Sequence, residues 1–119
     1  MITGETVIEG LNIPNALRRL GGNSALYSRL LQSFLKGGEL AALRAGILDG
    51  DAVKAGNSAH ALKGTAANLS VTEIWDAAAA LERSLKESGA VSAGHREALD
   101  AIEQQFSKLS ALCAPYFEG

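Results

Sequence analysis

The chain has 119 residues, 47% of them hydrophobic and 20% charged, with a formal net charge of −2. That length fits one domain with a single core, that composition excludes a disordered chain, and that charge gives no electrostatic footprint for nucleic acid. The lone cysteine, Cys113, excludes an internal disulfide and points to a reducing compartment. No apolar run reaches the roughly 18 residues of a membrane span, and "MITGETVIEG" lacks the basic-then-apolar order of a secretory leader. A cytoplasmic domain is expected.

Residues 1–11 carry glycines and little pattern, and read as a linker or frayed N-terminus; residues 12–119 read as one helical domain. Asn12 can cap a short helix with Pro14 in its first turn, which stops at Gly21-Gly22. Asn23 or Ser24 opens the next, where Leu26, Leu30, Leu31, Phe34 and Leu35 recur at helical spacing. Leu40, Leu43 and Ile47 resume the period beyond Gly37-Gly38, so one long helix to about Asp49, bent or briefly broken at the glycine pair, is expected. Asp51 caps a helix to about Leu69. Thr72 caps another, with Ile74, Ala78, Leu81 and Leu85 on one face and Gly89 past its end. Ser92 starts the last, whose stripe is Leu99, Ile102, Phe106, Leu109, Cys113 and Tyr116. Nothing alternates with period two. The fold class is therefore all-α: an up-down antiparallel four-helix bundle with a short extra N-terminal helix, its long arms spanning roughly 35 to 40 Å.

Wound at about 100° per residue, the helix after Asp51 gathers Ala55, Ala59, Leu62, Ala66 and Leu69 on one side, which should face the core. His60, Lys63, Gly64 and Ala67 gather on the opposite side, with Gly56 and Val53 one and two turns earlier. A glycine inside a helix costs about 1 kcal/mol relative to alanine. On an exposed face, that cost makes sense where something must approach the backbone beside the histidine.

"AHALKGTAANLS" (residues 59–70) resembles the signature of histidine-containing phosphotransfer (HPt) domains, His-x-Leu-Lys-Gly followed by small residues. "ALRRLGGNSALYSRLLQSF" is similar to the segment that precedes the signature in HPt domains at the ends of hybrid sensor kinases, and "DAAAALERSL" to the helix that follows. The resemblance covers about residues 12–88. It implies that His60 is the phosphoacceptor, taking a phosphoryl group from an aspartyl phosphate of one receiver domain and returning it to another. It implies that Lys63 orients the phosphoryl oxygens, that Gly64 leaves room for the receiver, and that Leu62 packs behind. It also implies that Mg²⁺ comes with the receiver and that no cofactor is bound by this chain itself. Val53, Gly56, Gly64 and Ala67 are expected to make the docking surface. Where the family has a glycine ten positions after the histidine this sequence has Ser70, so Asn68 or Ser70 is expected to bear the turn.

Attack on phosphorus needs a neutral imidazole, and histidine is the side chain whose neutral form is available near pH 7. A nearby ammonium then stabilises the phosphoryl charge, so positioning and charge neutralisation suffice if the partner supplies the rest. A non-phosphorylated module that binds receiver or kinase domains is the alternative; such a protein is expected to have lost His60 or Lys63, and this one keeps both. A metal or haem bundle fails on ligands, and an autonomous kinase fails for want of a nucleotide loop. His95 reads as a surface residue, Trp75 as a packing residue at the rim, and Cys113 as a small core residue. A monomer is expected, as a piece of a hybrid sensor kinase in two-component signalling.

Overall fold

The computed structural model describes residues 1–117. Among them are six helices and no strand: α1 (Ile13–Arg19), α2 (Ser24–Leu35), α3 (Gly38–Leu48), α4 (Ala52–Asn68), α5 (Thr72–Ser88) and α6 (Ala93–Phe117). None is long and apolar enough to cross a membrane. The starts follow local chemistry. Asn12, Asn23 and Asp51 each accept, through a side-chain oxygen, the amide three residues on, at 3.3, 2.9 and 3.0 Å. Thr72 does not cap α5 as expected: Val71 stands at the cap without a side-chain bond, and the Thr72 hydroxyl donates to the Gly10 carbonyl instead.

The break between α2 and α3 is complete. Gly37 has φ +84°, a left-handed conformation that glycine adopts without a Cβ clash, so the helical hydrogen-bond ladder stops and restarts there. Freed from α2, α3 comes very close to α4. A Cβ on Gly46 would stand 2.7 Å from the Ala55 backbone nitrogen, so this crossing tolerates only glycine without movement. α4 packs between α3 and α5, and α6 closes the bundle against α5, α3 and α2. α6, at 25 residues, is about 37 Å long; α4 and α5, at 17, fall short of the expected arm length at about 25 Å.

Residues 1–11 are neither linker nor frayed end. Ile2 and Ile8 are buried in the core, and the chain pairs with the α4–α5 turn through Asn12 N–H to Ser70 carbonyl and Thr72 N–H to Gly10 carbonyl, both at 2.9 Å. Packing against distant elements, rather than periodicity, orders this segment. The expected stripes of α4, α5 and α6 form the core, but α2 is turned differently: Tyr27, Leu31 and Phe34 are buried, whereas Leu30, expected in the stripe, is 39% exposed and Leu26 only half-buried. Cys113 is buried in the core, and burial pushes its thiol up to about 11. Tyr27 is fully buried and donates its hydroxyl to the Leu69 carbonyl at 2.8 Å, which ties α2 to the end of α4. Burial first, then the Cys113 charge, holds its phenol well above the usual range.

Candidate functional site

α4 sets the site. Ala55, Ala59, Leu62 and Ala66 are buried on its inner side, which leaves His60 and Gly64 exposed and Lys63 half-buried. Three small residues, Ala61, Gly64 and Ala67, keep the surroundings low. A Cβ on Gly64 would meet no atom within 4 Å, so nothing in the fold requires a glycine at this position.

The His60 face leans toward α5, where Glu82 waits. Glu82 Oε2 lies 2.8 Å from His60 Nδ1 and 2.7 Å from Lys86 Nζ, while Oε1 lies 2.6 Å from Lys63 Nζ. The Glu82 side chain is only 7% exposed, whereas His60 is 65% exposed. Burial alone would raise the carboxyl; the hydrogen bonds from Lys63, Lys86 and His60 outweigh it and lower Glu82 from 4.5 to about 2. An ionised carboxylate can only accept, so His60 Nδ1 carries the proton and donates it. Nε2, across the ring, is then the unprotonated nitrogen and points away from Glu82. The result is an exposed nucleophilic nitrogen on a ring whose tautomer and orientation are fixed from behind.

Lys63, expected to orient the phosphoryl oxygens, has its ammonium on Glu82. Of the expected docking residues, Val53 is 74% exposed and Gly64 exposed, and Ala67 is partly covered. Gly56 differs: it is buried on the floor of a hollow of about 270 Å³ between α4 and α5, beside Val53, Leu85 and Lys86. Trp75, read as a packing residue, is 41% exposed. It lines a cavity of about 420 Å³ with Ala67, Arg19 and Asp76 at the other end of the same face. Ser70 bears the turn after α4 with φ +54°, and its hydroxyl donates to Asn15 Oδ1 at 2.9 Å.

His95 is not at the surface. It is buried at the α5–α6 corner, where Nδ1 accepts the Ser92 amide at 3.0 Å and Nε2 meets the Ser84 hydroxyl at 2.8 Å. Its hydrogen-bond partners are Ser84 and Ser92, not His60. Among the described residues no group of three or more His, Cys, Asp or Glu side chains is arranged to hold a metal ion.

Glu82 and Lys86 are the site residues the sequence reading missed. The signal was present: Glu82 falls in the α5 stripe between Leu81 and Leu85, a core-facing position where a carboxylate needs a partner. Lys86, at i+4, supplies one. The others come from α4 and could not be paired with it before the two helices were placed side by side.

A family model described as "Hpt domain" matches residues 29–112, well over half of the chain and extending into α6. Searches of curated proteins and of solved structures returned no match.

Proposed function

The chain belongs to the Hpt domain family, whose members carry phosphoryl groups in two-component signalling, and on that premise we propose that His60 relays a phosphoryl group between receiver domains. The observation that carries this is the exposed His60 ring held at Nδ1 by a buried, ionised Glu82. The Nε2 lone pair attacks the phosphorus of a receiver's aspartyl phosphate. The P–O bond to the aspartate breaks, its electron pair leaves with the carboxylate, and the P–Nε2 bond forms. Nδ1 keeps its proton throughout, so the ring gains a positive charge, which Glu82 stabilises through the Nδ1–H hydrogen bond. The same charge makes the ring a good leaving group for return transfer to a second receiver's aspartate. The receiver is expected to bring Mg²⁺, which neutralises charge on the phosphoryl oxygens.

The scaffold we infer is an up-down antiparallel four-helix arrangement in which α2 and α3 together form one arm. It presents His60 midway along a low face. A small transient interface of about 600 Å² per partner is a disc of about 14 Å radius. Trp75 lies seven residues from Glu82, about 10 Å along α5, and Val53 the same distance from His60 along α4. A receiver seated over His60 therefore covers both of these exposed apolar side chains, with Gly64 at the centre of the footprint.

The test is to mix the protein with phosphorylated receivers and Mg²⁺ and measure acid-labile label, with His60→Gln alongside. Label on the wild type and none on the variant is expected. Equal label on both would remove His60 as acceptor. A folded wild type that takes none from any receiver would favour the non-phosphorylated binding module.

A further inference from the structure

Glu82 holds more cations than its charge requires. One carboxylate, nine-tenths buried, receives two ammonium groups as well as an imidazole N–H. The two lysines differ in how they reach it. Lys86 is four residues on in α5, so its contact is set within one helix and does not depend on α4 or on the state of His60. Lys63 comes from α4, three residues after His60 on the same face, and takes Oε1 alone, 29% exposed at the edge of the cluster. Lys63 can therefore serve either Glu82 or a group bonded to His60 Nε2. It cannot serve both fully.

If Lys63 were the sole counter-ion, its departure toward a phosphoryl group would leave a buried carboxylate without an ammonium beside a newly arrived dianion. Removing one partner of a buried charge is costly because the other remains desolvated. We propose that Lys86 is the standing counter-ion of Glu82, a positioning residue that frees Lys63 to turn from Glu82 Oε1 to the phosphoryl oxygens during transfer. Before transfer Glu82 and the two lysines together carry one positive charge. Afterwards the phosphorylated ring, a cation bearing a dianionic phosphoryl group, adds one negative charge, and the cluster is neutral. Without Lys86 the same cluster would end negative at the moment when another negative charge is least welcome. Lys86 makes and breaks no bond; it acts through Glu82. The inference rests on phosphotransfer through His60.

The experiment is single-turnover transfer from a labelled phospho-receiver that phosphorylates the wild type, measured in Lys86→Ala, Lys86→Arg, Glu82→Gln and the Glu82→Gln/Lys86→Ala double variant, each checked by circular dichroism. Lys86→Ala is expected to slow transfer about tenfold, in the range of one charge-assisted hydrogen bond. Lys86→Arg should restore most of the rate. In the Glu82→Gln background, where no carboxylate needs a counter-ion, removing Lys86 should change the rate less than about twofold. Transfer by Lys86→Ala at the wild-type rate would overturn the proposal. So would a tenfold loss that persists in the Glu82→Gln background, because the lysine would then act directly on the phosphoryl group or the receiver. A wild type that takes label from no receiver would instead overturn the phosphotransfer reading, and this proposal with it.

Discussion

Replacing Glu82 by Gln keeps the shape of the side chain and removes the charge around which Lys63, Lys86 and His60 are arranged. In the folded chain the Glu82 carboxyl sits at about 2, against an ordinary 4.5. Unscreened, that gap corresponds to about 3 kcal/mol of folding free energy. The cover over Glu82 is thin, however: a 65% exposed imidazole and the stems of two lysines, one of them 61% exposed. Solvent screening reduces the effect to on the order of 1–2 kcal/mol. The sign follows from which state binds the proton more tightly. The folded state holds this proton less tightly than the unfolded one, so the stabilisation is complete above about pH 4.5 and is lost as pH falls toward about 2. Urea denaturation of wild type and Glu82→Gln, from neutral pH down to about pH 3, isolates this group because every other carboxylate is shared. The wild type should be more stable at neutral pH by about 1–2 kcal/mol, with the gap closing on acidification. A gap that stays constant across the range would refute the assignment of Glu82 as an ionised hub.

Three further substitutions test separate parts of the structure. Gly64→Arg meets open space, so the thermal midpoint should hold or rise through better helix propensity, while transfer from receivers falls at least about tenfold; normal transfer would mean that this face does not dock. Gly46→Ala drives a Cβ to 2.7 Å from the Ala55 backbone, and denaturation should show a loss of about 1–2 kcal/mol after the helix-propensity gain; a stabilised variant would mean that α3 and α4 are not in such close contact. His95→Ala strips the acceptor from the Ser92 amide and the partner from Ser84, and should cost about 1–3 kcal/mol in the same measurement, whereas a surface histidine would cost almost nothing.

What could be read before the structure was what is local. Asn12, Asn23 and Asp51 announce helix starts because a cap is a contact between residues three apart. The two sides of α4 follow from the period of its small and apolar residues, and with them the exposed His60 and Gly64. Contacts between distant segments were hidden. Residues 1–11 look unstructured by pattern, yet the Ile2 amide reaches the Ser28 hydroxyl, 26 residues away, at 3.2 Å. The bond from Lys63 to Glu82 joins two helices, α4 and α5. His95 is the instructive exception: its bond to Ser92 spans only three residues, and a Ser-x-x-His at a helix start resembles a capping box with imidazole in place of carboxylate.

The central claim is that His60 accepts phosphorus at Nε2 while Glu82 keeps the proton on Nδ1. Nitrogen-15 and phosphorus-31 NMR of the imidazole-labelled protein, before and after phosphorylation by a receiver, tests it most directly. The account predicts an Nδ1–H tautomer beforehand and a P–Nε2 bond afterwards. An Nε2–H tautomer in the free protein, or phosphorus bonded to Nδ1, would contradict it.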